Sequence, residues 1–146
     1  MVKNPPEGMP RITPYLFYNN LPKALGWLKK AFGLETRFSI PGPDGELMHA
    51  EMALADGVVM MGAANPKEGS MSPSDLKGIH QSLYIYVEDL EFHYRRSKEA
   101  GAQIDMEPEE MFWGDRTYSA KDLEGHSWTF AQHVKDVAPE EMKWPG

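Results

Sequence analysis

The sequence predicts an α+β protein built from two tandem β-α-β-β-β modules, and three observations carry that prediction. Residues 13–33, TPYLFYNNLPKALGWLKKAFG, and residues 82–101, SLYIYVEDLEFHYRRSKEAG, follow one plan of strand, cap and helix. The caps Asn20 and Asp89 are 69 positions apart, and the closing glycines Gly33 and Gly101 are 68 apart. The pairs Asp56-Gly57 and Glu124-Gly125, each ahead of a short apolar run, repeat the offset of 68. A fixed offset between two copies marks a duplicated unit. Neither copy alone could bury its sheet face, so the two are expected to form one domain.

Each element has a local reason. Residues 1–10 hold three prolines and a glycine and are expected to form a loosely packed arm. The first strand starts near Ile12, and alternation turns Pro14, Leu16 and Tyr18 toward a helix and Thr13, Tyr15 and Phe17 the other way. Asn20 supplies an N-cap oxygen for a helix over 21–32, Pro22 is tolerated in its first turn, and Gly33 closes it. Leu21, Ala24, Leu25, Leu28 and Phe32 share one face, which is expected to cover the sheet. A strand over 36–40, a turn at Pro41–Gly45, a strand over 46–54, a turn at Ala55-Asp56-Gly57 and a strand over 58–62 complete module one. Residues 64–79 show no periodicity and read as the linker. Module two repeats the plan with strands over 80–87, 103–106, 116–120 and 126–132 and a helix over 89–100. An acidic, aromatic loop from Glu107 to Gly114 and a polar tail over 134–146, with Trp144 as an anchor, finish the chain. The organisation expected is therefore an arm (1–10), a domain over 11–133 (module one 11–63, linker 64–79, module two 80–133) and the tail.

Composition narrows the chemistry. With 146 residues, 41% hydrophobic and 25% charged, the chain falls within ordinary globular values. No apolar run is long enough to span a membrane, and the N-terminus has no signal-peptide core, so a cytoplasmic location is expected. The absence of cysteine removes disulfides, thiolate metal sites and a cysteine nucleophile. A net charge of -7 without a basic stripe argues against nucleic acid as a partner.

The doubled strand-cap-helix unit, the DG and EG turns before each module's last strand, and the segment WGDRTYSAKDLEGHSWTF over residues 113–130 resemble the vicinal oxygen chelate superfamily. That superfamily includes glyoxalase I, extradiol dioxygenases and the bleomycin- and fosfomycin-resistance proteins, and the last segment looks most like its PhnB-like subgroup. The resemblance covers roughly residues 11–133 and implies cupped mixed sheets with helices on the outer face. It also implies a homodimer and, in the enzymes, a divalent metal held by the first and last strands of each module. Counting seven back from the caps and four beyond Gly57 and Gly125 carries those positions onto Thr13, Ser82, Met61 and Thr129. Hydroxyls and a thioether are poor ligands for such a metal.

The expected function is accordingly a metal-free binder of a small organic molecule, planar or cationic, with no cofactor, serving in sequestration or resistance. Tyr15, Phe17, Tyr84 and Tyr86 line the expected cup with Met61 at its base, and Trp113, Asp115 and Arg116 stand at its mouth beside Glu107, Glu109 and Glu110. The aromatic residues could equally be packing where the two cups meet, and Asp115-Arg116 a structural ion pair. The competing reading is a metal-dependent lyase, isomerase or dioxygenase using a shifted ligand set, His49, Glu51 and His80. A third is a structural or partner-binding protein whose cup is filled by its own side chains. His126 reads as a turn or strand-start residue, and His93 and His133 as solvent-facing.

Overall fold

Asn20 and Asp89 begin the two helices, as their spacing predicts. In the computed structural model, which describes residues 2–145, the Asn20 Oδ1 accepts from the Lys23 N–H at 3.2 Å and the Asp89 Oδ1 from the Phe92 N–H at 3.1 Å. Met1 and Gly146, the ends of the expected arm and tail, lie outside the described residues. The chain divides into two compact units, one up to residue 77 and one from residue 78.

The first unit runs β1 (Tyr15–Tyr18), α1 (Leu21–Phe32), β2 (Glu35–Pro41), β3 (Leu47–Leu54) and β4 (Gly57–Ala63). The second runs β5 (Ser82–Tyr86), α2 (Leu90–Glu99), β6 (Gln103–Glu110), β7 (Asp115–Lys121) and β8 (Ser127–His133). Their sheets have the same order, β1-β4-β3-β2 and β5-β8-β7-β6, with the first pair parallel and the others antiparallel. Two mixed sheets, each with one helix, are the duplicated architecture the repeat predicts.

The cores differ in chemistry. In α1, Leu21, Ala24, Leu28, Ala31 and Phe32 are buried, the apolar stripe expected of a sheet-covering helix. In α2 the buried residues are Leu90, His93 and Ser97. His93, expected in solvent, is 7% exposed: its ring lies tilted against Phe130 with the centroids 4.2 Å apart, and its Nδ1 lies 2.6 Å from the Tyr118 hydroxyl. Ser97 Oγ joins them 2.9 Å from the same hydroxyl. A buried polar side chain must find partners, and one tyrosine oxygen serves both; burial drives that phenol's pKa far above its ordinary value.

Other boundaries move as well. Strand one begins at Tyr15, and Ile12 is 86% exposed. Residues 64–79 are not featureless: two short 3-10 turns, Pro66–Glu68 and Pro73–Asp75, lie there, and Asn19 Nδ2 donates to Asp75 Oδ2 at 2.9 Å. β6 runs to Glu110, so Glu107, Glu109 and Glu110 stand on a strand rather than in a loop. The loop that remains is the tight turn 111–114, closed by Met111 N–H to Asp115 O at 2.7 Å.

Candidate functional site

Register decides which side chains meet. Tyr84 stands level with Thr129 and Tyr86 with Ala131 across β5 and β8; Ala131 pairs with Thr117 and His133 with Asp115 across β8 and β7. Partners across a ladder share a face and neighbours along a strand alternate. Tyr84, Tyr86, Asp115, Thr117, Thr129 and His133 therefore share one face, while Tyr118 and Phe130, which contact His93 of α2, take the other. We term the first the open face.

On that face two phenols and an imidazole converge on Asp115, which is 2% exposed. Its Oδ2 accepts from the Tyr84 hydroxyl at 2.6 Å and the Tyr86 hydroxyl at 2.9 Å, and its Oδ1 lies 2.8 Å from His133 Nδ1. Trp113, on the turn before β7, donates its indole N–H to the Tyr84 oxygen at 3.1 Å. His133 Nε2 lies 2.7 Å from Asp136 Oδ1, so the imidazole bridges two carboxylates, an arrangement in which only the imidazolium can donate both ways.

The proton affinities follow from these contacts. Burial works to raise the Asp115 carboxyl, but hydrogen bonds from Tyr84, His133 and Tyr86 outweigh it and hold the group below the usual carboxylate range. Hydrogen bonds to Asp136 and Asp115 raise the His133 imidazole above its ordinary value. Burial and the bond to Asp115 push the Tyr84 phenol up to about 12, and that same bond, with burial, raises Tyr86. The shifts favour an anionic carboxylate, an imidazolium between two anions, and two neutral phenols.

The first unit has a smaller cluster on its corresponding face. Tyr15 stacks on Phe17 at 5.1 Å, and its hydroxyl lies 2.8 Å from His49 Nδ1. Phe17 is level with Gly62, and a Cβ at Gly62 would lie 2.9 Å from Tyr15 Cε1, so only a glycine lets the tyrosine ring rest there. Beside them, buried Glu51 pairs with Arg37 Nη1 at 3.2 Å.

Of the residues expected to line a cup, Tyr84, Tyr86, Trp113 and Asp115 are brought together, and Tyr15 and Phe17 lie against each other in the first unit. Met61 is a correction: it is level with Leu16 and fully buried on the helix side, while Met60, level with Tyr15, takes the open face. The reason is turn length. Leu54 pairs with Gly57 across two residues, whereas the Asp122 N–H bonds to His126 O across three, so counting from Gly57 and from Gly125 does not reach equivalent positions. Arg116 is the second correction. It neighbours Asp115 along β7, so it faces the other way, and its Nε donates to Glu91 Oε1 of α2 at 2.7 Å; Asp115 and Arg116 form no ion pair.

In the corrected register the positions that the resemblance marks for a metal hold Thr13, Ser82, Met60 and Thr129, and a thioether with hydroxyls does not fit a divalent ion. No group of three or more His, Asp or Glu among the described residues could hold a metal ion either. In the shifted set, His49 is engaged by Tyr15, Glu51 by Arg37, and His80 is exposed ahead of β5. Sequence reasoning missed Thr117, His133 and Asp136. Continuing the alternation of Thr129 along β8 by four residues would have put His133 on the open face.

Comparison with known proteins follows the same lines. A family model described as Glyoxalase/Bleomycin resistance protein/Dioxygenase superfamily matches residues 8–130. Uncharacterized proteins of Mycobacterium bovis and Mycobacterium tuberculosis are 31% identical over 137 residues, covering 92% of this chain and 90% and 81% of theirs. TioX from Micromonospora sp. ML1 superposes with a TM-score of 0.68 at 30% identity, over 86% of this chain and all of that one, 100%. The fosfomycin resistance protein FosX from Listeria monocytogenes, at TM-score 0.64, 13% identity and coverage of 92% and 98%, shares the fold.

Proposed function

We propose, because the chain belongs to the Glyoxalase/Bleomycin resistance protein/Dioxygenase superfamily, that it is a metal-free member that holds a planar or cationic organic molecule without making or breaking a bond. The observation that carries this reading is the Asp115 cluster. A buried anion accepts from the hydroxyls of two tyrosines that are 46% and 60% exposed. Exposed aromatic rings tied to a buried carboxylate favour a flat ligand with positive charge by stacking, cation–π attraction and charge complementarity. Tyr84, Tyr86, Trp113 and Asp115 are the binding residues in this reading, with Tyr15 and Phe17 a second aromatic surface. The work proposed for the protein is sequestration of such a molecule, as in resistance proteins, in the cytoplasm. A PhnB-like subgroup and a homodimer complete the proposal by resemblance. Light scattering at twice the 16.5 kDa chain mass would support the dimer, and a chain-mass monomer would sink it.

The competing reading is a metal-dependent lyase, isomerase or dioxygenase through His49, Glu51 and His80. Calorimetric titration separates the two. We expect saturable binding of planar aromatic amines near one per chain, weakened at least tenfold by Tyr84→Ala, and no stoichiometric binding of manganese, nickel, zinc or iron. One tightly bound metal ion per chain, lost in His49→Ala, would overturn the metal-free reading. If neither planar amines nor their neutral analogues bind, the binder reading falls.

A further inference from the structure

Thr117 is 1% exposed, and its hydroxyl has no hydrogen-bond partner among the described residues. Buried hydroxyls are normally paired, and an unpaired one costs on the order of 1–3 kcal/mol. Its place in the ladder explains both the burial and a use. Tyr86, Ala131 and Thr117 form one row across β5, β8 and β7, and Asp115 lies two residues along β7 on the same face. To reach Asp115 from β5, the Tyr86 and Tyr84 side chains must cross β8, which puts their exposed rings over the row that holds Thr117. Residues two apart on a strand are about 7 Å apart. Beneath the rings there is thus an unsatisfied hydroxyl about 7 Å from a buried carboxylate.

The remaining polar atoms show which partner is missing. An ionised carboxylate has about four acceptor positions, and on Asp115 the two phenols and His133 use three. The N–H and phenol donors nearby are spent inward: the Trp113 N–H on Tyr84, the two phenols on Asp115, and His133 on two carboxylates. What stays unused is one Asp115 acceptor, the remaining phenol lone pairs and the buried Thr117 hydroxyl, which can accept or donate. Glu109, level with Thr117 on β6, adds a further carboxylate to this face. A face that holds a buried carboxylate, a second carboxylate and more unused acceptors than donors calls for a ligand that brings N–H groups and positive charge.

We infer that Thr117 and Asp115 form a two-point socket beneath the Tyr84 and Tyr86 rings for a planar cation bearing N–H donors, such as a protonated amino-heteroaromatic. The inference rests on the binding reading above and names the ligand class that this site selects. Three related probes test it by calorimetry on the full chain: 4-aminoquinoline, which is a cation with N–H donors at neutral pH; 1-methylquinolinium, a cation with no N–H; and quinoline, which is neutral. We expect 4-aminoquinoline to bind at least tenfold tighter than either of the others. Thr117→Val should remove most of that margin, leave quinoline unchanged and not lower the unfolding midpoint, because it deletes an unsatisfied hydroxyl. Thr117→Ser, which keeps the hydroxyl, should retain the margin. Equal affinity for the three probes, or an unchanged margin in Thr117→Val, overturns the socket while leaving the aromatic binding site standing. Failure of all three to bind brings down the binding reading itself.

Discussion

Asp115 and His133 hold each other in their charged forms, and the signs of their shifts set a pH window. The histidine's proton affinity is raised, so its contribution to stability is fully present below its ordinary value and fades as pH rises through the higher folded one. The aspartate's is lowered, so its contribution is present above the ordinary carboxylate value and is lost as pH falls through the lower folded one. Both act together between roughly pH 4 and 6.5, the ordinary Asp and His values. We expect the stability difference between the wild type and His133→Gln, measured by urea unfolding at a series of pH values, to be largest in that window and to shrink above it. A difference that stays flat from pH 5 to 9 would mean that the imidazole is neutral there and that only its packing matters. The half-exposed ring limits the effect, since solvent screens an exposed pair.

At the scale of elements, β4 is shaped by what β1 lays on it. Gly62 carries no side chain on the open face, and the Tyr15 ring fills the space a Cβ would take, within bonding distance of His49. Gly62→Ala should push that half-exposed ring aside and break the Tyr15–His49 hydrogen bond, at a cost of about 1 kcal/mol. Tyr15→Phe removes the same bond, so the double variant should lose much less than the sum of the two, as coupled neighbours do. Strict additivity in chemical denaturation would show that the methyl is accommodated without moving Tyr15. The sequence made such elements readable where local rules suffice: two caps, two closing glycines and alternating strands placed both modules and the Tyr84–Tyr86 face. It misled where a distant count or a missing signal decided the outcome. Met61 was misassigned because the β7–β8 turn holds one residue more than the β3–β4 turn. His93 was misread because the buried stripe of α2 is polar, and nothing local to LEFHYRRSKE reveals that Tyr118 waits opposite. Arg116 obeys the local rule, since alternation alone sends it to the opposite face from Asp115.

Across the whole molecule, 22 acidic residues against 15 basic ones leave a net charge of -7, and this diffuse field acts on a cationic ligand differently from the buried socket. Charges in solvent interact over about 8 Å at physiological ionic strength, and raising the salt shortens that reach. A carboxylate that is 2% exposed is screened far less. The affinity for 4-aminoquinoline should therefore fall several-fold between about 50 and 500 mM salt, as expected when a field rather than a contact is screened. Quinoline, having no charge, should bind equally at both. The part of the cation's advantage that survives at high salt reports Asp115 and Thr117, so it should be missing from Thr117→Val, while the salt-sensitive part should persist there. If high salt abolishes the advantage altogether, attraction comes from net charge alone and the buried carboxylate takes no part in recognition. If salt changes nothing, the acidity of the chain is irrelevant to binding, and selectivity lies wholly in the few atoms beneath the two tyrosine rings.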